Sequence, residues 1–212
     1  MFNRKDYDNF SRINDETFPA VLIEGEQKLD KIISICPNHN VCIQAGCNFG
    51  IFPHYLSKHF KKVITLEPCD EIMVHAKKNI ANIQNIELIH AALHSLKGSC
   101  SINFDDKNCG ASSVTITSDE GVPTVTVDSL SNLYQGCDLL YLDIEGAEYE
   151  AMLGSKETME KYKPILVLEN KGLIPNFNSN IHGSNKFREY IQKTFNYKYH
   201  GRLMRDDIYV AN

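Results

Sequence analysis

Five stretches of this chain are apolar almost from end to end: VCIQA (41–45), VITLEP (63–68), IELIHAAL (86–93), CDLLYLD (137–143) and PILVLEN (164–170). A strand with one wet face alternates apolar and polar residues. A strand covered on both faces does not, so these runs point to parallel strands buried between helices. The segments between them agree. Phe49 to Phe60 reads as a helix with Pro53 in its first turns, where a missing N–H does little harm. Asp70 can cap a helix through Ile80 that gathers Ile72, Met73, Ala76 and Ile80 on one side. Ala147 to about Tyr162 is helical as well. The chain of 212 residues is long enough for one such α/β domain.

Two regions break the rhythm. Residues 98–127 contain SCSINF, SSVTIT and TVTVDSL, separated by polar turns. They read as short strands forming an antiparallel excursion at one sheet edge. The tail, FNYKYHGRLMRDDIYVA, reads as two extended runs around a polar turn, a hairpin closing the far edge. At the other end, residues 1–24 look irregular. Leu29, Ile32 and Ile33 then recur at helical spacing within Glu26 to Ile35. We therefore divide the chain into an N-terminal extension and helix (1–36) and a main domain (37–212).

Charge and cysteine content narrow the function. With 22 Lys plus Arg against 27 Asp plus Glu, the net charge is −5. Phosphate backbones are held by clustered cations, so nucleic acid is not an expected partner. No apolar run approaches the roughly 18 residues that cross a bilayer, and the start lacks the apolar core of a signal peptide. None of the seven cysteines forms C-x-x-C and several fall in predicted strands. Buried thiols in a reducing cytoplasm are the expectation, not zinc ligands or disulfides.

In a doubly wound sheet, ligands bind outside the carboxyl ends of the strands, where the winding reverses. Three segments stand at such ends: Gly46-Cys47-Asn48-Phe49-Gly50, Glu67 and Asp143. Gly46 lets the chain turn sharply, and Asn48 tolerates positive φ better than most residues. Gly50 permits close helix–strand packing. Glu67 follows the loop by about 20 residues and is placed to accept hydrogen bonds from a ribose diol. The plainer alternative is a simple turn and a helix-capping acid. For Asp143, Glu145 and Glu148 the plainer alternative is likewise the favourable placing of acids at a helix start.

The loop, Q-x-G-x-N-x-G, lacks the G-x-G-x-x-G of dinucleotide binders. It resembles the first motif of class I S-adenosylmethionine-dependent methyltransferases. Further on, ITLEP (64–68), HAALHSLKG (90–98), VDSL (127–130), LLYLDIEGAEYEAMLGS (139–155) and KPILVLEN (163–170) resemble the FkbM family of methyltransferases in order and pattern. The resemblance covers about residues 38–170. It implies a Rossmann-like three-layer sandwich with a mostly parallel central sheet and an antiparallel C-terminal hairpin. It implies S-adenosylmethionine as cofactor, with Glu67 on the ribose and the loop of Gly46, Cys47, Asn48 and Phe49 beside the methionine part. Pro68, Ala91 and Ala92 would border the adenine. Gln44 stands where the family pattern has an acid; its amide oxygen can still accept from an ammonium, without full charge.

Asp143 and Glu169 are then the candidate catalytic carboxylates, since a hydroxyl acceptor has to lose a proton. With Asn170 they would also suit Mg²⁺, as in catechol-type O-methyltransferases. Lys171 could assist deprotonation or be an ordinary surface lysine. The implied activity is O-methylation of a small molecule or glycan. The competing readings are a catalytically weak nucleoside- or partner-binding domain and an NAD-type oxidoreductase, the latter without its pyrophosphate loop. Acceptor specificity would reside in residues 1–24, 104–123 and 172–186.

Overall fold

The computed structural model describes residues 1–11, 17–103, 113–117, 121–172 and 184–212. A short 3-10 helix, Arg4–Tyr7, precedes α1 (Thr17–Ser34). Then follow β1 (Val41–Ala45), α2 (Ile51–Ser57), β2 (Lys62–Leu66), α3 (Asp70–Ile80) and β3 (Ile86–Ile89). Next come β4 (Ala92–Leu93), β5 (Gly98–Asn103), β6 (Ser113–Thr117), β7 (Val122–Val125) and α4 (Val127–Tyr134). The chain finishes with β8 (Leu139–Leu142), α5 (Glu148–Leu153), α6 (Lys156–Lys161), β9 (Ile165–Glu169), α7 (Asn185–Phe195), β10 (Tyr197–Leu203) and β11 (Asp206–Ala211).

Seven strands form the main sheet in the order β10-β11-β9-β8-β1-β2-β3. Strands β3, β2, β1, β8 and β9 run parallel, and β11 pairs antiparallel with both β9 and β10. This is the expected α/β, Rossmann-like three-layer sandwich with an antiparallel C-terminal hairpin. Winding outward from β1 reverses between β2 and β8, and in sheets of this kind the ligand position lies at the carboxyl ends of the strands at such a reversal.

Alternate residues of each strand serve opposite faces. Cys42, Val63, Tyr141, Val167 and Ile208 pack under α1 and α2 with Leu29, Ile32, Phe52 and Leu56. Ile43, Ile64, Leu142, Leu168 and Tyr209 pack under α4 to α7 with Leu130, Met152, Phe187 and Ile191. The N-terminal helix thus shares a core with the sheet.

Several expectations need correcting. Residues 4–7 and the segment from Thr17 onward are helical, so α1 begins well before Glu26. The run IELIHAAL divides between two sheets, β3 in the main one and β4 in a second. That second sheet, β4-β7-β5-β6, replaces the expected excursion at the edge of the main sheet. Within TVTVDSL the strand stops at Val125. The Thr126 side chain accepts from the Ser129 amide at 3.0 Å and starts α4, an N-cap that the β-branched composition obscured. The helix after β8 breaks at Gly154, where a Cβ would stand 2.6 Å from the His94 carbonyl oxygen. Helix α7 was not foreseen. Of the acceptor segments, 12–16, 104–112, 118–120 and 173–183 lie outside the described residues. All six described cysteines are buried and free of disulfides. No helix among the described residues is long and apolar enough to cross a membrane.

Candidate functional site

The strand registers bring the expected site residues together. The last paired positions are Ala45 with Leu66, Ala45 with Leu142, and Leu142 with Leu168. One residue further, Glu67, Gly46, Asp143 and Glu169 stand side by side across four adjacent strand ends. Asp206, paired with Glu169, continues the row. By the two-residue period, the four carboxylates all project on the face that packs under α1 and α2. At the switch point, then, a single glycine separates one acid from a group of three.

Gly46 is required in that gap. Its φ is +85°, and a Cβ there would fall 1.9 Å from the Asp143 carbonyl oxygen. The Gly46 and Cys47 amides donate to the Leu66 carbonyl at 3.2 and 2.9 Å, while the Asp143 amide donates to Ala45 at 3.1 Å. The loop therefore joins β1 to both neighbours. Gly46 and Asn48 are partly exposed at the rim, whereas Cys47, Phe49 and Gly50 are buried. Asn48 adopts φ 51°, as its residue type allows, and its side-chain oxygen accepts from the Phe49 amide at 2.7 Å. Gly50 abuts helix α3, not a strand: a Cβ would meet Ile80 at 2.8 Å.

Gln44 lies wholly beneath the loop. Its amide nitrogen donates to the Ala45 and Gly46 carbonyls at 3.2 and 2.8 Å, and its oxygen accepts from the Thr65 hydroxyl. It braces the turn from below. Glu67 is 5% exposed, and its two oxygens accept from the Asn48 amide at 2.9 Å and the Cys69 amide at 3.1 Å. The Glu67 amide donates to the Ile89 carbonyl at 3.2 Å, His90 contacts the carbonyl of the adjoining Pro68 at 3.0 Å, and Ala91 and Ala92, just beyond the end of β3, are buried.

Burial pushes Glu67 up to about 7, against the pull of the Cys69 and Asn48 amides. A raised folded pKa means that its contribution to stability is whole below the ordinary value of 4.5 and is lost as pH rises through 7. Glu67→Gln has no such loss. Its stability relative to the parent should therefore improve from about pH 5 to about pH 8, by up to about 3 kcal/mol. Denaturant titrations of both proteins across that range test this; a pH-independent difference contradicts it.

On the other side of the gap, Asp143, Glu145 and Glu169 bring carboxylate oxygens within 4.8 Å of one another. Lys171 stands among them, with Nζ 2.7 and 2.8 Å from the two Glu145 oxygens and 2.9 Å from Glu169. Burial raises Glu169, and the charges of Asp143 and Glu145 raise it further, with Lys171 opposing. Behind the row, Lys28 of α1 is 1% exposed, with Nζ 2.7 Å from Asp206 and 3.6 Å from Glu24. The Tyr141 hydroxyl donates to the same Asp206 oxygen at 2.6 Å.

Asn170 does not join the row. Its amide donates to Asp207 at 2.6 Å and to the Ser184 carbonyl at 3.3 Å, and its oxygen accepts from the Ser184 amide at 2.8 Å. Two of the three clustered carboxylates already share the Lys171 ammonium. The set envisaged for Mg²⁺ is thus not assembled, and the residues present do not fit that ion. Glu148 is buried and accepts from the Ile144 and Gly146 amides, both at 3.0 Å, so it locks the turn after β8. Sequence reasoning missed Lys28, Tyr141 and Asp206. The one signal for Lys28 was its place beside Leu29 on the apolar stripe of α1.

Two solved methyltransferases share this fold. Magnesium protoporphyrin IX methyltransferase (ChlM) from Synechocystis PCC 6803, solved with bound SAM, matches at 13% identity and TM-score 0.52, over 99% of this chain and 89% of that one. Methyltransferase FkbM from Methylobacillus flagellatus KT matches at 12% identity and TM-score 0.51, over 82% of this chain. The chain spans 43% of the length of that relative. No curated protein matches in sequence. The methyltransferase FkbM domain profile matches residues 44–200, and the chain belongs to that family.

Proposed function

We propose that the chain transfers the methyl group of S-adenosylmethionine to a hydroxyl of a small molecule or glycan. The observation that carries this reading is the row at the switch point, with Glu67 on one side of Gly46 and Asp143 and Glu169 on the other. The cofactor supplies an electrophilic methyl on a cationic sulfur. Glu67 accepts from the ribose hydroxyls while the backbone at Gly46 and Asn48 lines the methionine portion. Cys47 and Phe49 act only through main chain, since their side chains are core. Pro68, Ala91 and Ala92 border the base, and Gln44 shapes the loop from beneath.

In-line displacement disperses charge at sulfur, so alignment is the main contribution of the fold. With the cofactor bound, the acceptor oxygen would form its bond to the methyl carbon as the carbon–sulfur bond breaks, and S-adenosylhomocysteine, its sulfur now an uncharged thioether, would leave. The hydroxyl proton passes to Asp143, which Glu169 adjoins and can share. Glu67→Ala should weaken cofactor binding by about 1–3 kcal/mol, the cost of losing charge-assisted hydrogen bonds.

Incubating the protein with methyl-labelled cofactor and a metabolite extract, followed by mass spectrometry, tests the reading. Label on a hydroxyl oxygen supports it. Cofactor binding without transfer across a panel of hydroxyl compounds would leave a binding domain, and preferential binding of NAD would indicate an oxidoreductase.

A further inference from the structure

The turn that follows β8 holds one residue in a conformation that its type seldom adopts. Glu145 has φ 53°, and Gly146 follows at φ 102°. Left-handed backbone at a residue other than glycine, asparagine or aspartate is uncommon and persists only where the surroundings impose it. Here they do. The Glu148 carboxylate takes the amides on both sides of Glu145, those of Ile144 and Gly146. The result is a carboxylate aimed back across the strand ends onto Lys171, which it holds by both oxygens. Lys171 reaches Glu169 with the same ammonium.

We infer that Glu145 is a positioning residue: through the ammonium of Lys171, which it shares with Glu169, it sets whether Glu169 carries a proton. The inference rests on the proposed role of Glu169 in proton transfer. Charged groups reach this assembly from several elements. Asp143 comes from the end of β8, Asp206 from β11 with its partner Lys28 from α1, and Arg205 from the hairpin turn. Those four stay constant when Glu145 or Lys171 is changed, so the two substitutions isolate the bridge.

The signs are opposite. Removing the Glu145 charge takes away a repulsive neighbour and leaves Lys171 to Glu169 alone, so Glu169 should ionise more easily. Removing the Lys171 charge leaves Glu169 facing Asp143 and Glu145 with its counter-charge gone, so it should ionise less easily. A purely steric role for the bridge predicts no such opposition.

The test needs no acceptor. Carboxyl-labelled glutamate in the full chain, with the Glu169 resonance assigned by its loss in Glu169→Gln, gives the ionisation midpoint by NMR titration. The midpoint should fall by about one pH unit or more in Glu145→Gln and rise in Lys171→Met. Lys171→Arg should stay near the parent. Unchanged midpoints, or shifts of the same sign in folded variants, would overturn the inference. Cofactor affinity is measured separately by calorimetry, so failure of the methyltransferase reading would show there and leave this titration interpretable.

Discussion

Gly46→Ala is expected to be the most damaging single change at the rim, lowering stability by at least about 3 kcal/mol and abolishing measurable cofactor binding. Two effects combine. The left-handed backbone at φ +85° costs an L-residue about 1–2 kcal/mol. The added methyl would also lie 1.9 Å from a main-chain oxygen of Asp143. No rotamer relieves a clash between Cβ and backbone. Either β1 separates from β8 at its carboxyl end or the loop lifts away from Leu66, and both moves open the crevice. Denaturant unfolding gives the stability and calorimetry gives the affinity. A variant with near-parental values for both would mean that the strand ends yield more readily than their hydrogen bonds indicate.

Asp143→Asn should have the largest effect on the reaction and little effect elsewhere. Its main-chain contacts to β1 survive, so the fold and the loop are retained. The side chain is half-buried and follows strand β8 into the crevice. As the proposed proton acceptor, its loss should lower turnover by about 10²–10⁴-fold. The dissociation constant for S-adenosylhomocysteine should change by less than about threefold. A variant that turns over at the parental rate would remove Asp143 from proton transfer. One that loses both turnover and cofactor affinity would recast it as a binding residue.

The parallel core was legible because its strands are apolar on both faces, and that pattern survives in one dimension. The antiparallel tail was legible for a different reason, two extended runs about the polar Met204–Arg205 turn. Helix α7 was not, because NKFREYIQKTF buries only Phe187 and Ile191 deeply and otherwise reads as polar chain. The second sheet was misplaced since its strands carry small hydroxyl residues, and nothing local says which sheet they join.

The site divides in the same way. Gly46, Glu67, Asp143 and Glu169 could be read from their places at strand ends. Asn170, next in sequence to Glu169, points to the opposite face and binds Asp207 instead. A period of two fixes that outcome once the register is known. Lys28 and Asp206 enter from opposite ends of the chain, and their pairing at 2.7 Å exists only because α1 lies across the sheet next to β11. Such a buried pair has no sequence signature beyond a lysine on an apolar helical stripe.

The central claim is tested most directly by calorimetric titration of S-adenosylhomocysteine into the parent chain and Glu67→Ala, with NAD as the control ligand. The account predicts one site in the parent, weakened about 5- to 150-fold by the substitution, and no comparable affinity for NAD. Equal affinity in the two proteins, or tighter binding of NAD, would contradict it.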